Sequence, residues 1–425
     1  MSIIELGEIR DEPASAPPVR TPRAVGRPLR SAAVLLLALV LLAGATPPPR
    51  RTMSAVPASP AATAYLAPDA VYLVDPPTPD QDRYLTAYAQ PASEGAGLRR
   101  RWRAPVPRSE NYLGVRVEQG LVLAVGVEAG AGVFETTAFD AETGQQRWRH
   151  PGAPVPIADG GLLLTDVRQN GTDGMSRLDP ETGRALWSVP MLSSTGPAFH
   201  LSNGRIDRFV LVQPTGEVQV HDAVTGRLLR SVDTLPGDRR ALQRVQVVDD
   251  LLVFLPAEDA PVVGYGLADL EPRWRATMSP VSFVVGCADL LCVSHQGGNL
   301  RVLDPATGAL RWSDPGEELL VDVRGDRLLM SGSGRQFAVR DAATGRTRTE
   351  LGDWDLVPVL RPTDPLVGLR RGDDGRTVVA ELDLAAGHAR ILDLLPDVAG
   401  SCQASLPVLL CQRLDGSATL WRLRQ

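Results

Sequence analysis

The stretch Asp304-Pro305-Ala306-Thr307-Gly308, followed after three residues by Trp312, constrains what this chain can fold into more than any other. The Asp side chain can accept backbone N–H groups of a tight turn. The Gly supplies the left-handed φ that a bulged hairpin needs after a type I turn. Upstream, Leu300, Val302 and Leu303 are strand-like. The same phrase recurs at Asp140, Gly144 and Trp148, and at Asp179, Gly183 and Trp187. It appears without the Trp at Asp222 with Gly226, and at Asp341 with Gly345. Degenerate copies are Asp383 with Gly387, and Tyr265 to Asp269 followed by Trp274. One such turn is a weak signal. Copies spaced about 40 residues apart define an architecture.

A period near 40 built from short alternating strands is the signature of a β-propeller, in which each blade is a four-stranded antiparallel sheet. The 40 Gly and 36 Pro suit many strands joined by turns, and no sustained helical spacing competes. Anchors near 140, 179, 222, 268, 304, 341, 383 and 423 predict eight blades. Seven is the alternative if one degenerate unit is not a blade. Residues 98–103 read as a fourth strand preceded by a third at 84–89, whereas 418–423 read as a third strand with no fourth behind it. A ring whose first strand completes the last blade leaves no exposed seam.

Ahead of the repeats, residues 1–30 are Pro-rich with little to bury and read as a disordered cytoplasmic tail. Residues 31–46 form an uncharged apolar run behind Arg20, Arg23, Arg27 and Arg30, which reads as a transmembrane signal-anchor with its N-terminus in the cytoplasm. The run is shorter than the ~20 residues of a standard span. Secretion after cleavage near Ala45 is therefore the alternative. Residues 47–69 read as a Pro-rich linker and 70–425 as the propeller, placed outside the cytoplasm.

The formal charge of −6 excludes nucleic acid as the main partner, because phosphate binding wants a basic surface. In an extracytoplasmic chain four cysteines predict disulfides, paired locally as Cys287 with Cys292 and Cys402 with Cys411. The turn aspartates are read as structural, since a catalytic site is singular and these repeat. The histidines (His150, His200, His221, His295, His388) show no metal-ligand spacing. Gly-x-Ser-x-Gly, His-Glu-x-x-His and Walker motifs are absent. Arg371-Gly372-Asp373, and the Gly pairs at 297–298 and 332–334, read as turns.

The Asp-x-x-Thr-Gly-x-x-x-Trp repeats resemble the pyrroloquinoline-quinone-like (PQQ-like) β-propeller superfamily, which includes quinoprotein alcohol dehydrogenases and BamB-type assembly lipoproteins. The resemblance covers residues 70–425. It implies inter-blade packing roles for Trp148, Trp187, Trp274 and Trp312, with Trp102 and Trp421 doing the same at the closure. The anchor and the Lys-free, Arg-rich propeller also resemble actinobacterial envelope proteins. Quinoprotein enzymes hold their quinone under an adjacent Cys-Cys disulfide and beside calcium, and no adjacent cysteines occur here. The expectation is thus a non-catalytic, monomeric scaffold with no cofactor and no metal. Its partner would be an envelope protein or cell-wall component, met first at the connections 231–243 and 351–364. The alternative is a PQQ-binding oxidoreductase.

Overall fold

The computed structural model describes residues 51–423 apart from 60, 78–81, 92–95, 110, 128–132, 167–172, 192–195, 214, 234–241, 257–260, 279, 297 and 333–334. The chain divides into two compact units, Met1–Arg50 and Arg51–Gln425. The tail and apolar run expected at 1–30 and 31–46 lie outside the described residues. No helix among those described is long and apolar enough to cross a membrane.

Among the described residues the second unit holds nine four-stranded antiparallel sheets, eight of them with their strands in sequence order. The first eight blades occupy 63–106, 111–151, 153–191, 198–233, 242–276, 281–314, 319–353 and 355–395. In the last blade, Val398–Ser405, Val408–Arg413 and Ala418–Arg422 are joined by Thr52–Val56 from the other end of the unit. Closure by the first strand is therefore as the sequence predicts. The blade number is not: nine sheets replace the eight, or seven, expected from the turns.

The miscount has a local cause. The first blade (Thr63–Leu66, Ala70–Val74, Arg83–Ala89, Arg99–Val106) joins its outer pair through 90–98, which lacks the Asp-x-x-Thr-Gly phrase. Its strands at Arg83–Ala89 and Arg99–Val106 were legible, but no turn anchor announced a complete unit. The stretch read as spacer also holds two strands, Thr52–Val56 of the last blade and Thr63–Leu66 of the first. Ala, Ser, Thr and Pro look like a spacer in isolation. Here Val56, Tyr65 and Leu66 point into the core.

Each blade buries one face against the blade before it and the other against the blade after it. The apolar clusters record this joint by joint. Tyr65, Tyr72 and Trp102 of the first blade pack with Tyr112, Val122 and Phe139 of the second. Leu123 and Trp148 meet Leu162 and Leu178, and so on around the ring. Val56, Val408 and Leu420 of the last blade meet Leu66, Val71 and Leu73 of the first. Such burial is the main favourable term in folding. The inner strands add polar ties. The Tyr65 hydroxyl donates to Tyr112 O at 2.5 Å, and burial pushes its pKa up to about 12. Val284 N donates to Gln246 Oε1 at 2.7 Å. Leu66 N donates to Gln403 Oε1 at 2.8 Å, while Gln403 Nε2 donates to Ala64 O at 2.9 Å.

Candidate functional site

The repeated turn is built from its own residues. In the second blade Asp140 Oδ1 accepts Glu142 N (3.1 Å), Thr143 N (2.9 Å) and the Thr143 hydroxyl (2.9 Å). Gly144 N then donates to Asp140 O at 2.9 Å, with Gly144 at φ +72°. Asp179, Asp222 and Asp304 repeat these bonds, with Gly183, Gly226 and Gly308 at positive φ. Asp341 does the same through Thr344, with Gly345 at φ +70°. The second carboxylate oxygen is also taken in several copies. Arg147 Nη2 reaches Asp140 Oδ2 at 2.7 Å, Arg311 pairs with Asp304, and Arg348 pairs with Asp341. These arginines, seven residues after the Asp, were missed in the sequence. The recurring offset was the available signal.

Those hydrogen bonds favour the ionised carboxylates. Arg348 first, then Thr344, holds Asp341 down at about 2, and Arg147 first, then Thr143, holds Asp140 well below the usual carboxylate range. The turn aspartates are acceptors already occupied. A general acid or base works best with a pKa near the working pH, and all five carboxyls are instead lowered from their ordinary value.

Across each joint the tryptophans complete the device. Trp148 Nε1 donates to Pro180 O of the next turn at 2.8 Å, and Trp187 donates to Val224 O at 2.9 Å. Trp274 and Trp312 donate to Pro305 O and Ala342 O, each at 2.8 Å. Trp102 plays the same part between the first and second blades, donating to Ala141 O at 2.9 Å. Trp421 does not. It sits on the third strand of the last blade, 1 % exposed, packed within the cluster that joins the last two blades. Its indole N–H has no partner among the described residues, and the Arg51 guanidinium lies 5.1 Å from its ring centre. The reason is topological: the other joint indoles project from the fourth strands of their blades, whereas Trp421 lies on a third strand whose fourth-strand neighbour is Thr52–Val56.

Cys287 is bonded to Cys292 in the sixth blade and Cys402 to Cys411 in the last, each linking the two inner strands. These bridges tie neighbouring strands, so neither forms the adjacent-cysteine lid that a quinone would rest on. Among the described residues no group of three or more His, Cys, Asp and Glu side chains could hold a metal ion. The described residues therefore offer neither the adjacent-cysteine lid nor the acidic cluster that PQQ with calcium would use. His221 stacks on Phe209 at 5.0 Å, and burial lowers its pKa. His200 Nδ1 lies 2.5 Å from Asp207 Oδ1. These two histidines sit on the same blade but engage different partners.

Of the connections expected to face a partner, 231–243 falls largely outside the described residues. The connection 351–364 is more than a loop. It contains the strand Asp355–Val357 and the buried Trp354, whose Nε1 donates to Leu351 O at 2.8 Å. Arg370 covers that ring at 4.6 Å, and Gly368 lies beneath it. Only 358–364 remains a connection. The turn at Arg371-Gly372-Asp373 closes through Gly372 N to Arg376 O at 2.7 Å.

The family model described as outer membrane protein assembly factor BamB matches residues 134–350. No curated protein sequence matches the chain. Among solved structures, BamB from Moraxella catarrhalis is 13% identical with a TM-score of 0.42, the match covering 87% of this chain and 98% of that one. The computationally designed Ika8 protein is 17% identical with a TM-score of 0.48, covering 73% and 96%. A europium-containing methanol dehydrogenase is 11% identical with a TM-score of 0.43, covering 77% and 84%. The family model spans more than half of the chain, over the blades whose turns carry the repeated phrase, and the chain accordingly belongs to the PQQ-repeat β-propeller family described by BamB.

Proposed function

We propose that this protein is a non-catalytic, membrane-anchored scaffold of the cell envelope. Its propeller lies outside the cytoplasm as a monomer, and a protein or cell-wall component docks on the rim connections. The observation that carries this reading is the full employment of the repeated chemistry. The turn carboxylates are occupied by their own N–H groups, and the joint tryptophans by the next turn's carbonyls. What remains for function is shape and surface, the usual currency of a rigid scaffold that carries recognition on its loops. Paired cysteines support an oxidising compartment. The apolar run at 31–46 behind its basic flank supports an anchor of the kind met in actinobacterial envelope proteins.

Two measurements on the full chain separate this from the quinoprotein alternative. Titration with PQQ and calcium, followed by absorbance and by alcohol-dependent dye reduction, is expected to show neither saturable binding nor turnover. Either would overturn the scaffold reading. Crosslinking in the native envelope is expected to give a discrete adduct that a deletion within 358–364 weakens.

A further inference from the structure

We propose that Thr52–Val56 is a detachable strap, able to leave the last blade while the ring beneath stays closed. The other outer strands continue from the third strand of their own blade. This one is held only by what it touches. Its ladder to Ala418–Arg422 is five residue pairs long. Of its side chains only Ser54 and Val56 are buried, and Met53 is 54 % exposed. One side chain fastens its leading end: Arg51 Nη1 donates to Leu394 O at 2.7 Å and lies 3.5 Å from Asp393 Oδ1. Beside that clamp a cleft of 540 Å³ opens, lined by Arg51, Ile391 and Leu394. Elsewhere on the rim, Trp148 or Trp312 and the turn beneath it occupy the corresponding joint.

The rest of the last blade does not depend on the strap. Cys402–Cys411 staples its two inner strands. Gln403 ties its inner strand to Ala64 and Leu66 of the first blade. On the other side Ala404 N donates to Pro358 O at 2.9 Å. Trp421 fills the joint to the eighth blade from the third strand. Releasing residues 51–56 leaves these contacts in place and turns Ala418–Arg422 into an open sheet edge. Whatever pulls on the chain upstream of Arg51 loads this strap directly, because the chain is continuous there. Local opening of weakly buried elements is a general mode of native-state motion.

Hydrogen exchange followed by mass spectrometry on the full chain tests the idea. Amides of 52–56 are expected to exchange at least about tenfold faster than those of the outer strands Ala185–Met191 and Leu310–Asp314. Arg51→Ala and Val56→Ala should each speed 52–56 further and leave 398–413 unchanged. Equal protection of 52–56 and 398–413 in the unaltered protein overturns the proposal. So does a variant that accelerates the whole last blade together.

Discussion

Gly144 lies so close beneath Trp102 that a Cβ at residue 144 would stand 2.5 Å from Trp102 Cδ2. Trp148 with Gly183, Trp187 with Gly226, Trp274 with Gly308 and Trp312 with Gly345 repeat the relationship. The glycine is thus fixed twice. Its positive φ serves its own turn, and its missing side chain makes room for the preceding blade's indole.

Gly308→Ala should accordingly destabilise the propeller by about 2–4 kcal/mol, combining left-handed backbone strain with overpacking against Trp274. Gly204→Ala isolates the backbone component, because Gly204 has φ +74° with nothing near its Cβ position. Its cost should be about 1–2 kcal/mol. Denaturant unfolding of the two variants measures the difference, and equal losses would remove the indole from the account.

Trp312→Phe keeps an aromatic ring in the joint but removes the N–H that Ala342 O accepts. The expected loss is about 1–2 kcal/mol, from the hydrogen bond and the carbonyl it leaves without that donor. Exchange of the amides around Ala342 should rise with it. An unchanged unfolding midpoint would make the bond ornamental.

Asp341 has its pKa depressed to about 2 by Arg348 and Thr344. A depressed carboxylate contributes stability above its unfolded pKa near 4, and that contribution is lost as pH falls toward 2. Acid unfolding should therefore steepen between about pH 4 and 2, with this group adding no pH dependence above that range. In Asp341→Asn the acid sensitivity should shrink while stability at neutral pH falls. Thermal melts across pH 2–7 provide the check.

Arg340 bridges the sixth and seventh blades, its Nη1 2.6 Å from Asp314 Oδ2 and its Nη2 2.8 Å from Glu318 Oε2. The guanidinium is mostly enclosed, at 16% side-chain exposure. Arg340→Ala should cost about 2–4 kcal/mol, since two carboxylates lose a shared partner. Lysine should recover only part of it, because a point charge cannot fork to both. Full rescue by Arg340→Lys in chemical denaturation would contradict the forked geometry.

Removing the Cys287–Cys292 bridge with a double Ala substitution should cost about 2 kcal/mol, as expected for so short a loop. All four cysteines should resist alkylation in the intact mass until a reductant is added. Four reactive thiols in the purified protein would contradict both bridges.

What the sequence determined by itself was everything written within one hairpin. Asp140, Thr143 and Gly144 carry their turn in five consecutive residues, so the turn, the blade type and the strand order were legible without a structure. Local pairing also put Cys287 with Cys292 and Cys402 with Cys411. Tertiary structure decided what depends on residues far apart in the chain. Trp102 and Gly144 belong to different repeats, and no single copy of the motif says that the indole of one covers the glycine of the next. The ninth blade has the same origin. The connection 90–98 of the first blade carries no copy of the motif, and Thr52–Val56 finds its place only by pairing with Ala418–Arg422 at the other end of the propeller. A ring closes where its ends meet, and that position is set by how many joints fill with buried side chains rather than by any local signal.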